Sequence, residues 1–128
     1  MIAALELLRF HKGFAWVVIL GNALAGAWAL GAHRYPQLRT RALWWYTVIA
    51  ELTIFVQVIV GVLLVNVDGL QPAKFHLLYG FAGIITVGIM YSYKTTSPWV
   101  RERLYLIYGA TGLFIMGLGI RAMLVAAR

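Results

Sequence analysis

The chain has no cysteine, only four acidic residues, and a charged fraction of 12% over 128 positions. The missing thiols exclude disulfides, iron–sulfur clusters, thiolate haem ligation and covalent c-type haem. Water-soluble domains carry about a quarter of their residues as charges, so this chain lacks the polar groups to coat a soluble surface. There is no Gly-rich phosphate loop, no Ser-His-Asp set and no pair of neighbouring carboxylates, and the histidine spacing suits no zinc site. Hydrolytic and nucleotide-dependent reactions therefore have no support. Proline is scarce: Pro36, Pro72 and Pro98 fall one in each of three connections, where a missing amide hydrogen does no harm.

What remains is apolar. The chain is 62% hydrophobic with a mean hydropathy of +0.83. A spanning helix needs about 20 largely apolar residues. Four runs meet this, at Gly13 to Ala32, Ala42 to Val65, Phe75 to Tyr93 and Leu104 to Ala127. The first is expected to extend upstream through the amphipathic start `MIAALELLRF`. Its apolar length exceeds the 7–15 residues of a secretory signal, so it reads as a retained span. The short links `HRYPQLRTR`, `NVDGLQPAK` and `KTTSPWVRER` make successive helices antiparallel. The expected fold class is all-α, an integral membrane up-down four-helix bundle forming one domain over residues 1–128.

The net charge of +7 comes from short basic clusters between the apolar runs. That pattern suits headgroup contacts in a lipid bilayer rather than nucleic acid. Arg34, Arg39, Arg41, Lys94, Arg101 and Arg103 lie in the first and third connections. Arg9, Lys12, Lys74, Arg121 and Arg128 belong to the other face. The positive-inside rule then puts both termini outside, in what we expect to be a prokaryotic plasma membrane. Trp44, Trp45, Tyr46, Tyr91, Tyr93 and Trp99 crowd the span ends as an aromatic belt does.

A Phe-His pair occurs twice, in `FHKGFAW` at 10–16 and `FHLLYGF` at 75–81, an echo that a duplicated helical hairpin would leave. Helices one and three run in the same direction, which places His11 and His76 at nearly one depth. Two imidazoles at equal depth on alternate helices of a bundle can approach one iron from opposite sides. Below His11 on its own face come Ala15, Val18, Asn22 and Ala25; below His76 come Gly80, Gly83 and Val87. The small residues, Ala15 and Gly80 first, leave room for a macrocycle edge. Gly21, Gly26, Gly112, Gly117 and Gly119 are expected to serve helix packing instead. His33, beside Arg34, reads as interfacial.

Arg121 sits inside the fourth run at about the depth of the two histidines. A buried arginine needs a partner: a haem propionate or Asp68 would serve, and snorkelling to the headgroups is the alternative. Arg9, Lys12 and Lys74 flank the same mouth. Glu51 lies about two turns into the second span, where a carboxyl is protonated or paired. It is a candidate for proton transfer or for contact with a quinol hydroxyl, and otherwise a structural hydrogen-bonder. Gln57 needs no more than an interhelical hydrogen bond.

The stretch `QVIVGVLLVNVDGLQPAKFHLLYG`, Gln57 to Gly80, resembles a segment of the haem A synthase family. There a helix with a Gln-x-x-x-Gly pattern leads through a short Pro-containing loop into a His-Leu-Leu helix start. The resemblance covers about residues 9–93 and implies that His76 is a haem ligand, with a partner two helices earlier where His11-Lys12 stands. Members of that family usually have eight helices, and many bacterial ones carry a cysteine pair; here there are four spans and no cysteine. Small four-helix b-type cytochromes share the same use of parallel-helix histidines. The expectation is thus a membrane cytochrome holding haem b between His11 and His76 and exchanging electrons with a quinone or a partner redox protein. The alternatives are a cofactor-free or pigment-binding accessory subunit of a larger respiratory or photosynthetic complex, including a homodimer, and a small transporter centred on Glu51 and Asn22.

Overall fold

The computed structural model describes residues 2–127; Arg128, counted above among the cations of one face, lies outside them. Helix α1 runs Ile2–Arg34, α2 Arg41–Asn66, α3 His76–Thr96, α4 Pro98–Glu102 and α5 Leu104–Ala126. Among the described residues there is no strand. The four long helices, α1, α2, α3 and α5, are each long and apolar enough to cross a membrane.

Connections are closed by local chemistry. A 3-10 turn over Pro36–Leu38 follows α1, and Arg39 ties it back by donating to the carbonyls of Ala32 and His33 at 2.8 and 3.0 Å. Thr40 caps α2, its hydroxyl accepting from the Leu43 amide. Ser97 caps α4 in the same way, with Pro98 in the first helical turn where its missing N–H costs nothing.

One element extends as expected and one departs from expectation. At 33 residues α1 is about 50 Å long, against a hydrocarbon core of about 30 Å. It continues upstream of the apolar run through the amphipathic start, as expected. Phe75 is not the first residue of α3: it precedes the helix in the left-handed region, φ 70°. The two Phe-His pairs are therefore not structural copies. His11 lies well inside a continuous helix, whereas His76 begins one.

The packing is that of a membrane bundle. Exposed positions hold the large apolar side chains, such as Leu20, Ile49, Ile59, Ile85 and Phe114, while the α1–α5 seam is built from Ala and Gly. Lipid tails are as apolar as leucine, so helices associate through close backbone approach rather than hydrophobic burial. A Cβ on Gly26 would stand 2.8 Å from the Gly109 carbonyl oxygen, and one on Gly112 would stand 2.7 Å from Gly26 Cα. Gly26 and Gly112 pack as anticipated. Gly119 faces Ile19, and Gly109, not singled out from sequence, completes the seam. Gly117 is corrected: nothing lies within 4 Å of the place its Cβ would take, because it points outward.

Helix α1 packs on α2 and α5, and α3 packs closely on α5 and more loosely on α2. This leaves α1 and α3 on the diagonal. Along the bundle axis the interior is layered. Ala29, Ala32, Leu43, Met90 and Tyr108 fill the end near the first and third connections. Val18, Ile54, Val87 and Ile115 fill the middle. Toward the termini the core opens into a cavity.

Candidate functional site

The cavity has a volume of about 610 Å³ and is walled by all four long helices and the 70–73 loop. Its lining is apolar except for a few polar groups, among them His11, Lys12, Gln57, His76 and Tyr79. That size and balance match sites that enclose organic cofactors.

His11 and His76 project into it from the diagonal helices. Their ring centroids are 6.0 Å apart, with planes at 70°. Each ring is oriented by its own helix neighbours. His76 Nδ1 lies 3.0 Å from the Ala122 carbonyl oxygen on α5. A carbonyl only accepts, so Nδ1 carries the proton and Nε2 is left with the lone pair. A backbone carbonyl on the far nitrogen is the usual way a metal-binding imidazole is fixed. His11 is set from α2: Gln57 Nε2 donates to the His11 carbonyl oxygen at 2.6 Å. One turn further along α2, Gly61 gives the His11 ring its space, for a Cβ there would stand 3.2 Å from His11 Cε1. His11 Nδ1 is buried without a hydrogen-bond partner, as is Gln57 Oε1.

The residues beneath the rings lie where helical phase puts them. Ala15, Val18, Gly80 and Gly83 line the cavity, and Gly80 has nothing within 4 Å of its Cβ position. Sequence reasoning found Gln57 only as a hydrogen-bonder and gave Gly61 no part beyond the Gln-x-x-x-Gly pattern. That four-residue spacing was the available signal, because it stacks the two on one face of α2.

The cations sort differently from expectation. Arg121 is exposed on the outer surface of α5, not buried, and does not line the cavity. Its Nε donates to the Tyr79 hydroxyl at 3.4 Å and its guanidinium lies 5.9 Å from the Tyr79 ring centre. Arg121 leans along Tyr79 at the protein surface, and Asp68, exposed in its loop, is not an ion-pair partner of Arg121. Arg9 pairs with Glu6 at 3.5 Å, and Lys74 lies over the Phe75 ring. Lys12 is the cation that lines the cavity mouth.

An iron held midway between two imidazoles, about 2 Å from each nitrogen and roughly 1 Å more to each ring centre, needs ring centres about 6 Å apart. The 6.0 Å between the ring centres equals that separation, and Ala15, Gly80 and Gly83 keep the cavity wall small beside the rings. Among the described residues no group of three or more His, Cys, Asp or Glu side chains gathers to hold a metal alone. Two imidazoles leave the other positions of an iron to further ligands, which a macrocycle would supply. The donor set thus fits a haem.

Glu51 is in a separate place. It is 4% exposed, about three turns into α2, and its Oε1 accepts from the Tyr91 hydroxyl at 2.8 Å. Tyr108 and Lys94 stand beside it, in the half of the bundle away from the cavity. Asn22, also buried, donates to the Val18 and Ala50 carbonyls at 2.9 and 3.2 Å, a structural role. His33 is exposed at the end of α1.

Fold and cavity together define a four-helix membrane bundle with a two-histidine internal pocket. No protein-family model, curated protein or solved structure matches the chain.

Proposed function

We propose that the protein is a membrane b-type cytochrome in which His11 and His76 hold the iron of one haem b. The observation that carries this reading is the 6.0 Å separation of the two rings across a cavity walled by four helices. When bound, the haem supplies one-electron chemistry, with the partner a quinone or a redox protein. The chain's own residues do the rest. Ala122 fixes the tautomer of His76, Gln57 and Gly61 fix the position of His11, Gly80 and Ala15 leave room, and Lys12 supplies a cation at the mouth for a propionate. The apolar wall excludes water and so restricts direct ligand exchange. We place the cavity end, with both termini, on the outer side of a prokaryotic plasma membrane, following the basic residues of the opposite connections.

The test is an optical spectrum of detergent-purified protein, oxidised and dithionite-reduced, with a pyridine haemochrome assay. A sharp reduced α-band and about one haem b per chain support the proposal. A featureless visible spectrum from cells supplied with haem rejects it. A second reading, an accessory subunit of a larger membrane complex or a homodimer, draws on Gly88 and Gly117. Both are exposed with nothing within 4 Å of a Cβ, which leaves two outer faces open to a partner helix. Under that reading the preparation is colourless and co-purifies with other membrane proteins.

A further inference from the structure

Among the described residues, the cavity leaves the buried ionisable side chains Glu51 and Tyr108 unused. Along α2, Glu51 stands between the residues of the two apolar core layers, Leu43 and Ile54, and three helices supply its neighbours. From α3 come Tyr91, which donates its hydroxyl hydrogen to Oε1 at 2.8 Å, and Lys94. The Lys94 ammonium lies 5.2, 5.7 and 5.5 Å from the ring centres of Trp44, Tyr91 and Tyr108. From α5 comes Tyr108, 4% exposed, its hydroxyl buried with no hydrogen-bond partner. From α1 the nearest polar group is Asn22, committed to carbonyls.

Tyr91 differs from the others in one respect. Its hydroxyl reaches the buried carboxyl, yet the residue as a whole is 37% exposed at the aromatic end of the bundle. It therefore ties an interior acid, through one hydrogen bond, to a side chain that reaches the surface. A phenol can carry a proton across such a step without ionising. The carboxylate takes the Tyr91 hydroxyl hydrogen while the phenol oxygen takes one from a hydronium ion or water outside. Two O–H bonds break, at the phenol and at the outside donor, and two form, at the carboxyl and at the phenol, so one proton moves inward and the donor is left as water or hydroxide. Rotation of the hydroxyl resets the path.

We propose that Glu51 is a proton-exchanging site served by Tyr91, loading and releasing a proton at the membrane face that carries the Arg-rich connections. Lys94, held against three rings, keeps a fixed positive charge beside the path so that the carboxylate form is tolerated between transfers. Glu51 lies ten residues from Gly61, about 15 Å along α2, so the site is distinct from the histidine cavity. The exchange does not depend on the haem reading.

The experiment is infrared spectroscopy of the full chain in lipid nanodiscs, with and without haem, on transfer from H2O to D2O. The carboxyl stretch of Glu51 is assigned by its loss in Glu51→Gln, which separates it from the other three acids of the chain. In wild type the band is expected to shift to its deuterated form promptly. In Tyr91→Phe the band remains and its exchange slows by about a hundredfold. Tyr108→Phe, whose hydroxyl makes no bond to Glu51, exchanges as fast as wild type. Equal exchange in wild type and Tyr91→Phe overturns the proposal. So does a wild-type band that does not exchange, or a Glu51→Gln spectrum identical to wild type at every pH between about 4 and 9. Because haem-free protein gives the same readout, failure here and failure of the cytochrome reading are told apart.

Discussion

Gly61 is where the cavity is most sensitive to a single methyl group. A Cβ there stands 3.2 Å from His11 Cε1, whereas relaxed carbon contacts lie at about 3.5–4.0 Å. In Gly61→Ala the ring must retreat by roughly 0.3–0.8 Å. Metal–ligand distances tolerate about 0.2 Å, so the retreat takes the imidazole out of bonding range unless the haem follows it. Changes to groups that orient a ligand typically lower affinity by about 10–100-fold, which is roughly 1.4–2.7 kcal/mol. Stability moves the other way, since alanine is favoured over glycine in a helix by up to about 1 kcal/mol. Gly61→Val adds overpacking of about 1–3 kcal/mol. The assay is haem titration into haem-free protein in nanodiscs, followed at the Soret band, beside thermal melts of the haem-free form. Gly61→Ala should bind haem more weakly while melting no lower than wild type, and Gly61→Val should not bind measurably. Gly117→Ala, whose new methyl meets nothing, should match wild type in affinity. If Gly61→Val binds haem like wild type, the placement of His11 against α2 is wrong.

Three further outcomes follow from the same geometry. Gly112→Val drives side-chain carbon into the α1 backbone, where Gly26 Cα and N and the Asn22 carbonyl oxygen all stand within 2.8 Å of the new Cβ. Backbone cannot yield as a side-chain tip can, so the loss should exceed about 2 kcal/mol in a detergent unfolding titration. Lys12→Gln should weaken haem binding several-fold or more and flatten its loss with salt, whereas Arg121→Gln, exposed and off the cavity wall, should leave the binding isotherm unchanged. Phe75→Gly relieves a left-handed residue at φ 70° and should raise the thermal midpoint by an amount equivalent to about 1 kcal/mol, unless the exposed ring's lost contact with the interface offsets it in lipid; detergent melts separate the two.

The chain's chemistry and architecture were legible to different depths. Four spans, their alternation and the common depth of His11 and His76 followed from run lengths and from helices one and three sharing a direction. Helical phase then placed Ala15, Val18, Gly80 and Gly83 on one cavity wall. Arg121 was misjudged because depth was considered without phase. Ala122 faces the cavity, and the residue before it is turned by about 100° on the helix, which sends Arg121 outward. Gly117 fails for the same reason beside Gly119. Phe75 begins the third apolar run and so reads as helical, and nothing local signals its positive φ, which is disfavoured for a bulky residue. Only the tertiary constraint of closing the 67–75 loop onto a fixed α3 start can impose it. Gly61 and Gln57 owe their importance to a neighbour 50 and 46 residues away, a pairing that the order of residues records only as one turn of spacing.

The central claim is that His11 and His76 hold one iron between them. It is tested most directly by titrating haem into wild type, His11→Ala and His76→Ala in nanodiscs and recording oxidised and reduced spectra. The account predicts one haem per wild-type chain with a low-spin spectrum, and loss of that spectrum to the same extent in both variants, since each supplies one of two equivalent axial bonds. A wild-type protein that takes up no haem, or a variant that retains the wild-type spectrum after losing either imidazole, would contradict it.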